Sequence, residues 1–314
     1  MTYTLFDSVL VNEYLILAGI ILMFFDFLVS LYFIIFKNEA IHGDSRQTFS
    51  TNMILLIFEV VFIFGSMFIF MSEKALFILS MPFLCSAVVF TLMLAWAAIQ
   101  MNGMHRRSME ILETLVGVIE AGDENLDGHS LHVQNLSMLI YEYLPFYEKR
   151  SINPTNLEYA SLFLDIGKLG IPRSIIDKKG KLTPREKQLI QRHPEICVEI
   201  FQRIPAFTRI TYWVKYHHER VDGTGYYHMK GDDIPLASRI LAVADTYSAI
   251  TMDRSYRPSL TYENAISELR LVAGSQLDPK LVEVFCSIPK MKVANCMVDV
   301  RNRMKKYQSG DFKW

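Results

Sequence analysis

Residues 216–254 read YHHERVDGTGYYHMKGDDIPLASRILAVADTYSAITMDR, and the second half of this run sets the class of the fold. From Leu236 to Thr251 the apolar residues Leu236, Ile240, Val243, Ala244 and Tyr247 recur three or four apart, the spacing of one helix face. The first half carries the chemistry. Two adjacent histidines, His217 and His218, precede a turn built on Asp222-Gly223-Thr224-Gly225, and Asp245 follows inside the helical pattern. Ala242-Val243-Ala244 places Asp245 on a helix that reads as buried. A buried carboxylate without a partner is costly, and a metal ion would supply one.

Helical patterns continue on both sides. Ser130–Leu144 puts Leu131, Leu136, Leu139, Ile140 and Leu144 on a common face and stops at Pro145. Asn156–Leu164 reads as a helix ended by Gly167, and Ile210–His217 as another. Thr183-Pro184-Arg185-Glu186 is a capping box with proline at the first helical position, so a helix starts there and runs toward His193-Pro194. Asp278-Pro279 caps a further helix that ends near Ser287. No alternating strand pattern competes, so the domain is expected to be all-α, a helical bundle over residues 109–289. Residues 290–314, with Arg301, Arg303, Lys305 and Lys306, read as a solvated basic tail or a short basic helix on a membrane surface.

The front of the chain has a different character. Mean hydropathy over the 314 residues is +0.20, and the apolar residues crowd into the first hundred. Residues 14–36 contain one charge (Asp26), residues 53–70 one (Glu59), and residues 75–99 none. About 20 apolar residues cross a hydrocarbon core, so the expectation is an N-terminal region of three transmembrane helices. Asp7 and Glu13 with no basic residue ahead of the first span argue against a cleaved signal peptide. Lys37, Arg46, Arg106 and Arg107 place the first loop and everything after Gln100 in the cytoplasm, with the N-terminus outside. Asp26 and Glu59 would then lie at similar depth, roughly 15 and 12 Å from the cytoplasmic face. They could form a protonated pair, reach the headgroups, or act as an ion-sensitive switch.

Residues 101–120 continue the third span as a helical linker, with Met109, Leu112, Leu115, Val116 and Ile119 forming a stripe. A dimeric signalling stalk and an ordinary first helix of the domain both fit. A net charge of −1 without basic runs argues against nucleic-acid polymers as partners. Cys85, Cys197, Cys286 and Cys296 form no CxxC and read as reduced thiols.

Candidate metal ligands are His129, Asp165, His193, His217, His218 and Asp245. Each alone has an ordinary reading as a cap or polar residue, and the spacing matches no short zinc motif. Together with their surroundings they resemble a known family. Gly128-His129-Ser130, DIGKLGIP at 165–172, His193-Pro194, HHERVDGTGY at 217–226 and IPLASRILAVAD at 234–245 follow the order and spacing of the HD-GYP family. These are bacterial phosphodiesterases that hydrolyse cyclic di-GMP.

The resemblance implies a helical bundle around one or two Fe or Mn ions held by those six residues, as His/carboxylate sets suit such metals. It makes Asp165 the bridging carboxylate, with a metal-activated water attacking phosphorus. It gives Lys168, Arg254 and Arg257 to the substrate phosphates, and Gly225 and Tyr226 to the substrate loop. It also implies a GGDEF-type protein as a partner, and with the expected spans the chain reads as a signalling protein of the bacterial cytoplasmic membrane.

Five positions depart from the family pattern. Leu164 stands where the HD histidine belongs, and leucine offers no lone pair. Asn125 replaces a glutamate found in three-metal members, Ser248 an acid, Tyr227 the proline of GYP and Ser255 that of RPY. Loss of a ligand predicts reduced ion occupancy and impaired hydrolysis. The sequence therefore reads as a sensor or scaffold of cyclic-di-GMP metabolism, with an active phosphodiesterase as the alternative.

Overall fold

The computed structural model of the chain describes residues 107–120, 128–252 apart from 179, and 259–309, together with isolated positions ahead of them. The chain divides into two compact units, residues 1–108 and 109–314. Nearly all of the three expected spans, with Asp26 and Glu59, lies outside the described residues, as do Asn125, Arg254, Ser255 and Arg257. Among the described residues no helix is long and apolar enough to cross a membrane.

The second unit is all-helical among its described residues, apart from one isolated bridge between Ala273 and Leu277. Its helices of eight or more residues are α1 (107–120), α2 (His129–Tyr143), α3 (Pro154–Phe163), α4 (Pro184–Gln191), α5 (His193–Phe201), α6 (Thr208–Lys215), α7 (Leu236–Thr251), α8 (Tyr262–Val272), α9 (Pro279–Ser287) and α10 (Lys290–Ser309). Local chemistry sets most starts. Asn153, Thr183, Thr261 and Asp278 each accept a backbone N–H from the first turn they precede. At Thr183 the capping box is complete, because the Glu186 carboxylate also accepts the Thr183 N–H.

α2 is the central post. It packs on α3, α7 and α10, while α5 packs on α6 and on the 3-10 turn Ile166–Gly170. Val133, Leu136 and Ile140 of α2 meet Leu157, Val214, Ile240, Val243, Leu269 and Phe285 in the main core, all fully buried. A second cluster joins Met109 and Val116 of α1 to Leu131, Leu162, Phe163, Val300 and Met304.

The helix expected from Thr183 toward His193-Pro194 is present as α4, and His193 opens a separate helix, α5. Two other expectations change. The segment beyond residue 289 is a 20-residue helix rather than a solvated tail, with Val293, Val300 and Met304 buried in the bundle. The α1 stripe is split: Met109 and Val116 are buried, whereas Leu115 and Ile119 are 55% and 41% exposed. One face of α1 thus belongs to the domain, and the other, with Ile111 and Val118, faces outward.

Candidate metal centre

His193 and His217 are built alike. His193 sits at the start of α5, with Nδ1 donating to the Ile190 carbonyl at 2.8 Å; His217, just past α6, donates Nδ1–H to the Val214 carbonyl at 2.6 Å. A carbonyl only accepts, so each Nδ1 carries the proton and each Nε2 presents a lone pair. Both Nε2 atoms are buried and have no hydrogen-bond partner. His218 completes a trio whose ligand atoms lie within 4.8 Å of one another. Two orphaned buried lone pairs aimed at a shared point are what a cation would satisfy, so these residues fit a metal ion.

Asp165 follows α3 and lies between this trio and a second group. Its Oδ1 is 3.6 Å from His193 Nε2, and its Oδ2 is 3.5 Å from His129 Nε2 and 2.7 Å from Lys168 Nζ. His129, the first residue of α2, places Nε2 3.1 Å from Asp245 Oδ1 on α7. All six residues singled out by sequence therefore converge, with Asp165 between the two groups and Lys168 against it.

The electrostatics follow from burial. Desolvation pushes His193 down to about 4 despite the nearby Asp165, and lowers His217 and His218 as well. These imidazoles are neutral, as ligands must be. Burial alone would raise Asp165, but the Lys168 ammonium 2.7 Å away outweighs it and holds the carboxylate ionised. Asp245 is likewise held low, its hydrogen bond and charge interaction with His129 outweighing burial.

Leu164 is the residue before Asp165. It is fully buried and belongs to the main apolar core. A leucine side chain offers no lone pair, so it supplies no ligand.

The loop after His218 is tied to the site by Glu219, which is 4% exposed. Its carboxylate accepts the N–H groups of Tyr227 at 2.5 Å and Met229 at 2.6 Å. Gly225 is buried against this residue, and a Cβ there would stand 2.6 Å from Glu219 Cα. A direct structural demand for glycine at 225 is thus the close approach of the chain to itself. The Tyr226 ring lies 4.8 Å from that of His218 and, with Asp245 and Gln276, lines a cleft of about 200 Å³ beside the trio. Gly167 makes an equally close approach, its absent Cβ falling 1.9 Å from the His193 carbonyl oxygen.

Sequence reasoning passed over Glu219, Glu120 and His132, and named Ser248 only as a departure from the family pattern. Glu120 is 3% exposed, accepts the Ser130 N–H at 3.0 Å, and is pushed by burial to about 7. His132, three residues after His129, and Ser248, three after Asp245, share faces with those ligands. Helical spacing was the available clue.

Comparison with known proteins agrees with this construction. The chain is 34% identical over 189 residues to a 3'3'-cGAMP-specific phosphodiesterase 2 of Vibrio cholerae, covering 59% of this chain and 35% of the relative. It is 34% identical over 194 residues to a cyclic di-GMP phosphodiesterase of the same organism, covering 58% and 39%. A cyclic di-GMP phosphodiesterase of Thermotoga maritima is 34% identical over 184 residues, covering 58% and 49%. The chain spans less than half the length of these relatives. The HD domain family matches residues 119–281, 163 of the 314, and the chain belongs to that family.

Proposed function

We propose that this HD domain protein serves cyclic-dinucleotide signalling as a sensor or scaffold whose hydrolytic power is impaired. The observation that carries the reading is the contrast at one site. His129, His193, His217, His218, Asp165 and Asp245 converge as a ligand set, while Leu164 is buried in the apolar core with nothing to donate. The named relatives act on cyclic di-GMP or 3'3'-cGAMP, which supports a cyclic dinucleotide as the ligand.

In this reading His193, His217, His218 and Asp165 hold one ion, and His129 and Asp245 with Asp165 offer a weaker place for a second, Fe or Mn. When bound, such ions polarise a phosphodiester oxygen and activate a water. The chain's own residues do the rest. Lys168, 2.7 Å from Asp165, orients that carboxylate and offers a positive charge to the substrate phosphate. Tyr226 closes the cleft beside His218. Arg254 and Arg257 are assigned to the second phosphate.

Three transmembrane helices at residues 14–36, 53–70 and 75–99, an external N-terminus and a cytoplasmic HD domain belong to the same proposal, supported by the charge-poor runs in the sequence. The outward apolar residues Ile111, Leu115 and Val118 support a homodimer through α1. A GGDEF-type protein is the proposed partner.

The test is anaerobic turnover of cyclic di-GMP and 3'3'-cGAMP with Mn(II) or Fe(II), natural chain beside L164H. Cleavage by L164H alone supports the reading. Equal cleavage by both makes this an active phosphodiesterase and sinks it.

A further inference from the structure

The cleft beside the histidine trio is lined by Arg220, Thr246 and Gln276 as well as by Tyr226, Asp245 and Glu219. Gln276 sits in the turn between α8 and α9, and that turn is laced to the loop after His218. Val221 N–H donates to the Gln276 carbonyl at 3.3 Å, and Asp222 N–H donates to the Ser275 carbonyl at 2.9 Å. The Arg220 guanidinium is fixed as well. Its Nε donates to Thr224 Oγ1 at 2.8 Å, its Nη2 to Asp222 Oδ2 at 2.9 Å, and its Nη1 to Gln276 Oε1 at 3.1 Å.

That last bond orients the amide. A guanidinium only donates, so the Gln276 oxygen must face Arg220 and the nitrogen must face away from it. Nε2 carries two N–H groups and meets Thr246 Oγ1 at a long 3.4 Å. Among the described residues a second N–H of Gln276 is therefore left over, as is one on each Nη of Arg220. The acceptors of the cleft are engaged. Both Glu219 oxygens take backbone N–H groups of their own loop, and Asp245 faces His129. The hydrogen-bonding capacity that remains is a set of donors.

We infer that Arg220 and Gln276 form the base-reading edge of this cleft, which takes the guanine of a cyclic dinucleotide and disfavours adenine. Guanine presents two acceptors, O6 and N7, along one edge. Adenine has N7 beside an amino group, which would meet the Gln276 N–H donor to donor. Tyr226 offers the base an aromatic face, and stacking accepts any base, so discrimination falls to the amide and guanidinium. A cleft of about 200 Å³ has room for one purine. A mixed guanine–adenine dinucleotide therefore places its guanine here and leaves its adenine unread. This inference rests on the cyclic-dinucleotide reading above and adds a base preference to it.

The experiment is equilibrium binding to the full chain, with Mn(II), of cyclic di-GMP, 3'3'-cGAMP and cyclic di-AMP as their hydrolysis-resistant phosphorothioates. Cyclic di-GMP is expected to bind about 10-fold or more tighter than cyclic di-AMP. The mixed dinucleotide should lie nearer to cyclic di-GMP, since one guanine suffices. Q276E puts an acceptor where the N–H stood and lowers the ratio of the two affinities by about 10-fold, weakening cyclic di-GMP and sparing cyclic di-AMP. Q276L has neither donor nor acceptor; it lowers the ratio too and covers a failure of Q276E to fold. Partial unfolding would weaken all three ligands alike and leave the ratio in place. Equal affinity of the natural chain for the three ligands overturns the inference, as does a ratio that neither variant changes. If none of the three binds the natural chain, the cyclic-dinucleotide reading falls and this inference with it.

Discussion

At the scale of single residues, the centre depends on keeping polar atoms dry and ready. Leu164 shows the opposing pressure, since the core has absorbed the position beside Asp165. Histidine there would bury an unpaired ring in place of a packed leucine. L164H is expected to lose about 2–4 kcal/mol in ion-free protein. Part of this loss should return with Mn(II), by mass action on the folded state. Thermal melts with and without the ion check this; a melting point of L164H indifferent to Mn(II) refutes it.

Acid stability is also a residue-scale matter. His132 and His193 are pushed down to about 3 and 4, so between pH 6.5 and 4 the unfolded chain binds protons that the fold refuses. Their stabilisation is present above pH 6.5 and is lost as pH falls through the folded values. Glu120, raised by burial to about 7, works in the opposite sense. Its contribution is present below its ordinary value and is lost as pH rises toward 7. Two histidines outweigh one acid, and stability is expected to fall by about 1 kcal/mol per pH unit across this window. Denaturant unfolding at pH 7, 6 and 5 measures it. A rise on acidification would mean these rings are charged in the fold.

Elements carry the ligands, and their junctions set the geometry. The 3-10 turn Ile166–Gly170 lies so close to α5 that the missing side chain of Gly167 would meet the His193 backbone. G167A must push the turn off α5, separating Asp165 from His193. It is expected to cost more than about 2 kcal/mol and to abolish ion-dependent stabilisation. Survival of that stabilisation in G167A would show that the contact is dispensable. The loop after His218 is an analogous case. Its two N–H donors converge on Glu219, and E219Q leaves one of the two oxygens replaced by a donor. A loss of about 1–3 kcal/mol is expected, with Mn(II) binding weakened because His218 adjoins Glu219. Chemical denaturation and metal titration of the variant test both parts.

At the scale of the whole molecule, the unit of residues 109–314 follows, along the chain, a first unit with a different composition. If residues 14–36, 53–70 and 75–99 span a bilayer, the full chain will resist alkaline carbonate extraction from membranes. A reporter fused after Trp314 will be active only as a cytoplasmic protein. Release by carbonate, or an exported C-terminus, would refute the proposed topology. The C-terminal helix α10 belongs to this scale too. Its burial of Val293, Val300 and Met304 ties the end of the chain to α1 and α2.

The sequence by itself determined the helical class and most helix starts, and it singled out six residues that the fold brings together, because capping, apolar period and side-chain chemistry are local properties of residue types. α7 was legible from end to end, since its apolar face is continuous from Leu236 to Thr251. α10 was not, because its buried residues are spaced widely among Lys, Arg and Asp, and their burial depends on distant helices. The helix that opens at His193 was hidden for a similar reason: it begins only where α5 meets the turn at Gly167. Tertiary structure alone decided which imidazole nitrogens face the centre. At His193 and His217 that choice rests on the carbonyls of Ile190 and Val214, which can only accept.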